Sequence, residues 1–392
     1  MKKFLESRFL RLLVLVLGIF ATSDLALAQT HYILTNDDLA YPFLTGVGFF
    51  TVGTNGLPVF KQQVHTGTFG IGGGYFGMNR LAVLDSGTQQ CVFASEALNG
   101  FIAGIDVSTL TVGGTTTGSS TDSGTANGIG LVMNGSYLYA SFSSSNTIGT
   151  FAVQPGCSLT FIGDTSVIGL QAGIINGMAI HGSMLVTSYT DGSIESFNIS
   201  GGTPVSNGDE QISTATVNSA DATYVNAIDI TKDGHYAIFG DTSTALSVEV
   251  SDISSGKLAR TTVYKSTASI NSSNIILSPD ETILYVVNTQ GATVSALFFN
   301  KSTGKLSAGC TSGPLAGLSQ NWSYLAGITL MSQTGNGGGV YVAEFGTVSG
   351  IATVPLSLSG QKCSLQEATG SPTIDPNTPG VLSIGSFPPR SF

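Results

Sequence analysis

The stretch LSPDETILYVVNTQGATVSALFFNKSTGKLS (277–307) decides the fold. It contains two apolar runs, ILYVV and TVSALFF, separated by Asn288, Thr289, Gln290 and Gly291. Two β-branched and aromatic runs divided by a short polar turn with Gly read as a hairpin. SPDE stands before the hairpin, and NKSTGK after it turns the chain into a further strand.

The unit is one of seven copies. LYASFSSSNTIGTF (138–151) lies over LYVVNTQGATVSAL (284–297) without a gap. Equivalent motifs start at residues 32, 92, 138, 185, 237, 284 and 340, spaced by 46 to 60 residues. Each is followed by a second apolar run, such as SIESFNI or VSALFF, then a turn and a third run such as SGKLARTTVY. A short apolar run also precedes each motif but the first, as in RLAVLD, GIGLVM and NIILSPDE. The unit is therefore four strands in about 50 residues, the sequence form of a propeller blade. The motif at 32 has no room before it for a first strand, because only Gln29, Thr30 and His31 precede it after a leader. The run Gly380–Gly385 (GVLSIG) supplies that strand. The sequence thus predicts an all-β, seven-bladed β-propeller of four-stranded blades. A C-terminal strand at about 380–386 closes the ring beside 31–36.

Residues 1–28 read as a signal peptide. Lys2, Lys3, Arg8 and Arg11 precede the apolar run Leu12–Ala21, and Ala26-Leu27-Ala28 forms a small-x-small cleavage site. The run is shorter than the roughly 20 residues that span a bilayer. Residues 29–392 are expected to form one domain, with no membrane span after leader cleavage. The leader carries four basic and two acidic residues, which leaves 10 basic and 22 acidic residues and a net charge of −12. Such a surface repels phosphate backbones and anionic headgroups, so nucleic acid is not an expected partner. The even count of four cysteines in an exported chain implies two disulfides. Cys91 and Cys157 fall on neighbouring blades at one face, and Cys310 and Cys363 on the outer strands of neighbouring blades. The expected pairs are therefore 91 with 157 and 310 with 363. The expected location is secreted or periplasmic.

With the repeat in hand, SPDETILYVVNTQGATVSALFFNKSTGKL resembles the blade repeat of the secreted YVTN-type β-propellers. It is also similar to the lactonase-like seven-bladed propellers, which include 6-phosphogluconolactonase-type chains. The resemblance spans the chain after the leader and is strongest in blade six. The SPD element stands at Ser278-Pro279-Asp280, with a weaker form at Thr231-Lys232-Asp233-Gly234. The resemblance implies seven blades and, more weakly, lactone hydrolysis.

Aligned positions give the candidate site residues. The second-strand motifs end in Asn36, Glu96, Phe142, Tyr189, Asp241, Asn288 and Glu344. The residues just before the first strands include Asn79, Asn127, Asn176 and Asn226, with Ser273 and Ala326 in two other blades. Functionally, Glu96, Asp241 and Glu344 would converge over the central channel. There they would act as a general base on water attacking a lactone carbonyl, or hold a divalent cation such as calcium or magnesium. The asparagines, with Asn36, Tyr189 and Asn288, would line a ligand site. Structurally, the carboxylates form a solvated rim, and each Asn bonds nearby backbone to fix a loop. The histidines (31, 65, 181, 235) have no metal-ligand spacing, and His181 and His235 are expected in exposed turns on the opposite face. No GxSxG elbow is present. Gly70–Gly77 lacks the helix that a phosphate cradle needs, and Gly113–Gly124 reads as a flexible loop. The sequence therefore ranks two functions. The first is an exported binding or scaffold module, a monomer, for a small molecule, carbohydrate or protein. The second is a lactonase-like hydrolase of sugar lactones.

Overall fold

The computed structural model describes residues 31–37, 45–67, 79–96, 100–117, 129–212, 225–241, 247–265, 272–289, 291–316, 324–332, 338–345, 349–360, 362–374, 381 and 383–390. The leader expected at 1–28 lies outside the described residues, as do Asn127 and the Gly70–Gly77 run.

Seven antiparallel sheets follow one another along the chain. The opening stretch lies in blade six, whose strands are Ser272–Leu277, Ile283–Asn288, Thr293–Asn300 and Lys305–Thr311. Every residue of Ile283–Asn288 is buried. A second strand is covered on both faces because each blade packs against two neighbours, so it reads as a continuous apolar run instead of an alternation. The apolar side chains gather in the seams between blades, one cluster to a seam. Tyr285 and Val342, for example, share the seam between blades six and seven.

Closure is as the sequence predicts. Ser383–Phe387 pairs antiparallel with Tyr32–Asn36, with Tyr32 opposite Phe387 and Asn36 opposite Ser383. Each inner strand also contacts the inner strands of both neighbouring blades around the whole ring. Closing the sheet order this way removes the free inner edge that blade one would otherwise present.

Both expected disulfides are present. Cys91–Cys157 ties blade two to blade three, and Cys310–Cys363 ties blade six to blade seven, each with a Cα–Cα distance of 5.6 Å. The first bridge depends on Gly104. A Cβ there would stand 1.8 Å from the Cys157 carbonyl oxygen, so only glycine lets the Pro155–Cys157 turn reach blade two.

Two local expectations differ from the structure. Thr111–Thr117 is the fourth strand of blade two, so the first five residues of the stretch read as a flexible loop are sheet. Threonine is a strand former, and here β-propensity outweighs the glycines. Asn176, Asn226, Ser273 and Ala326 do not precede their inner strands but lie within them, at bulges. The pairing skips each one: Ile175 and Gly177 face Tyr189 and Ser188, for instance, which leaves Asn176 unpaired in the ladder. A bulge leaves its extra residue outside the ladder.

Candidate functional site

The positions that end the second strands point into seams. A blade is a radial sheet, and its second strand lies one strand out from the channel. Its side chains therefore alternate between the preceding and the following blade. Glu96 follows Val92 and Ala94, which pack on blade one. Glu344 follows Val340 and Val342, which pack on blade six. The structure thus places these two carboxylates in different seams and does not bring them together. Asp241 ends the second strand of blade five at the equivalent position.

Each seam side chain has its own partners. Thr45 Oγ1 donates a short hydrogen bond to Glu96 Oε2. The Tyr189 hydroxyl donates to Glu195 Oε2 at 2.9 Å. Asn288 Nδ2 donates to Thr293 Oγ1 at 3.0 Å and to Ser295 Oγ at 2.9 Å, both within blade six. Glu344 differs from all of these. It is wholly buried, and neither of its carboxylate oxygens has a hydrogen-bond partner. Burial, with the nearby Glu367 carboxyl adding to it, holds its pKa up at about 8.

Blade one departs from the sequence alignment by one residue. Ile33 packs on blade seven, while Leu34 packs on blade two. Asn36 therefore faces blade two, where its Nδ2 donates to the carbonyls of Arg80 and Ser95 at 3.2 Å. The seam position in blade one belongs to Asp37, a residue the alignment missed. Its carboxylate accepts from Gly46 N at 2.6 Å and Gln63 Nε2 at 2.8 Å. Among the asparagines, Asn176 is buried. Asn79 is exposed and lies at the channel.

Two cavities lie on the side where the inner strands end. A cleft of about 490 Å³ between blades four and five is lined by His181, Asp233, His235 and Ser254. Both histidines are half-buried there, and His235 Nε2 lies 3.2 Å from Asp252 Oδ2. They are not the freely exposed turn residues expected. The second cavity, about 390 Å³, is the channel mouth, walled by Leu84, Met133, Ile180 and Ile230, with Asp85 among the polar residues. The chain beyond the closing strand enters it. Arg390 Nη1 and Nη2 donate to Asp229 Oδ2 and Oδ1 at 2.6 and 2.9 Å. They also donate to the Leu277 and Ile230 carbonyls at 3.0 and 3.1 Å. No group of three or more His, Cys, Asp or Glu with metal-site geometry occurs among the described residues.

With this geometry in place, comparison with solved structures is informative. A Bacteroides fragilis protein described as a candidate 6-phosphogluconolactonase superposes with a TM-score of 0.66 at 15% identity, over 92% of this chain and 99% of its own. One from Bacteroides uniformis, described in the same way, gives 0.68 at 13%, over 91% and 99%. The periplasmic gluconolactonase PpgL of Pseudomonas aeruginosa gives 0.55 at 12%, over 72% and 82%. What they share is the fold. No family model matches the sequence, and no curated protein does.

Proposed function

We propose that this protein is an exported binding module: a rigid seven-bladed ring that presents its second-to-third-strand hairpins and inter-blade loops to a ligand. The observation that carries this reading is the placement of Glu96 and Glu344 in separate seams between blades, where they do not converge on one site. Loops held on such a scaffold are where binding residues concentrate. The ligand is a small molecule, a carbohydrate or a protein. The leader-like segment at 1–28 and the two disulfides support a secreted or periplasmic location. No helix among the described residues is long and apolar enough to cross a membrane.

The second reading is a lactone hydrolase. The propellers described as 6-phosphogluconolactonase candidates and the gluconolactonase PpgL support it through their shared fold. One experiment separates the two readings. The purified chain from Gln29 is assayed on a panel of sugar and aliphatic lactones beside the triple variant Glu96→Gln, Asp241→Asn, Glu344→Gln. The binding module gives no turnover above background. Turnover that the triple variant loses would replace the binding reading with the hydrolase.

A further inference from the structure

Seven carboxylates are buried among the described residues, and six of them have a donor. Asp37 accepts from Gly46 N and Gln63, and Glu96 from Thr45. Glu195 accepts from Tyr189 and Ser206, and Glu281 from Lys232 N. Asp229 is paired with Arg390, and Glu249 with Arg260 at 3.1 Å. Glu344 is the exception. A carboxylate in an apolar seam is costly when ionised without a partner, so the seam lacks a partner for the charged form of Glu344.

Among the described residues, no side chain supplies that partner. The charge that adds to the upward push on the Glu344 pKa comes from a second carboxyl, Glu367, on the same seam. Glu367 follows the fourth-strand segment Lys362–Leu365 of blade seven and is only half-buried. One of its oxygens accepts from Ala316 N of blade six at 2.7 Å, which fixes the side chain across the seam. Its other oxygen is buried and has no partner. Three bare carboxylate oxygens therefore belong to these two residues, and no Lys, Arg or His among the described residues is paired to either.

We propose that Glu344 and Glu367 form a calcium site in the seam between blades six and seven. The donors are all oxygen, the preference of a hard cation. Calcium accepts bidentate carboxylates in irregular geometry, whereas magnesium demands a near-ideal octahedron and sheds its water reluctantly. Carbonyls and water complete the roughly six to eight ligands that calcium takes. The half-buried Glu367 gives the ion its way in. The ion links the same two blades that Cys310–Cys363 links covalently. With only two carboxylates, the affinity falls in the range of extracellular modules, about 0.1–1 mM. This inference does not depend on the binding-module reading.

The test is thermal unfolding of the purified protein at pH 8 in EDTA, in 10 mM calcium and in 10 mM magnesium. Calcium at that concentration is expected to raise Tm by about 2–4 °C by mass action, and magnesium by less. Glu344→Gln, a neutral isostere that relieves the seam of its charge, is expected to fold and to show no calcium shift. Glu367→Gln is expected to lose at least half of the shift. Titration calorimetry is expected to detect one calcium site in wild type and none in Glu344→Gln. A calcium shift of equal size in wild type and Glu344→Gln would place the ion elsewhere and overturn the proposal. Stabilisation by acid alone, with no calcium response at pH 8, would overturn it too, because the pair would then hold only a proton.

Discussion

Replacing Arg390 by methionine tests whether the residue in the channel mouth acts as a latch. The guanidinium donates to Asp229 twice and to the Leu277 and Ile230 carbonyls, and both side chains are nearly buried, at 8% and 12% exposed. The variant keeps the aliphatic bulk but leaves the Asp229 carboxylate without its countercharge. Removing one partner of a buried pair costs about 3–5 kcal/mol. Asp229 still accepts from Ile230 N at 2.8 Å and Leu277 N at 2.7 Å, and the adjoining cavity admits water, so the lower end applies. About 3 kcal/mol in a folded domain of some 360 residues lowers Tm by roughly 4 °C. The double variant Asp229→Asn/Arg390→Met removes the stranded charge and is expected to melt above Arg390→Met alone. Calorimetry and urea titration of the four members of the cycle give the coupling directly. A melting point for Arg390→Met within about 1 °C of wild type would refute the latch, as would a double variant that is merely additive.

Three further outcomes are expected. In EDTA, the raised pKa of Glu344 makes the fold favour the protonated carboxyl. Its contribution is complete below the unfolded value of 4.5 and is lost as pH rises through about 8, by up to ~5 kcal/mol. Denaturant titrations from pH 5 to pH 9 should show this slope in wild type and a flatter profile in Glu344→Gln; superimposable profiles would exclude the effect. Removing Cys91–Cys157 as the double serine variant opens a loop of 66 residues and should cost about 4 kcal/mol by chain entropy, read as the urea midpoint multiplied by m. Truncation after residue 376 removes both the closing strand and Arg390 and is expected to abolish cooperative melting; an unchanged transition would show that the ring does not need closure.

The architecture was legible because the blade repeat survives in the second strands, whatever has happened elsewhere. The absent first strand before Tyr32 and the spare run near the C-terminus had one mutual solution. Both disulfides followed once the cysteines were assigned to blades. What the side chains face was harder to read. Both faces of a second strand are buried, so no polar alternation marks which residues look forward and which look back. The motifs YILTN and VFASE align equally well one residue out of step, and a slip of one residue exchanges the two faces. That hid Asp37 and misassigned Asn36. Linear spacing also cannot show that strand-end residues aim sideways into seams, so Glu96 and Glu344 read as neighbours across the channel. Arg390 and Asp229 are 161 residues apart and belong to no repeat, so nothing in the pattern joins them.

Ring closure also sets an order in time. Tyr32–Asn36 is the first described strand to be synthesised, yet its inner partner begins only at Ser383. At about 5–20 residues per second, nearly 350 intervening residues leave that edge unpaired for roughly 20–70 s. Throughout that interval six blades can assemble while a buried-type strand offers its hydrogen-bonding groups to any passing chain. The seventh sheet is sealed only by the last described residues, so yield in a heterologous host should respond more to whatever shields this edge during synthesis than to the stability of the finished ring.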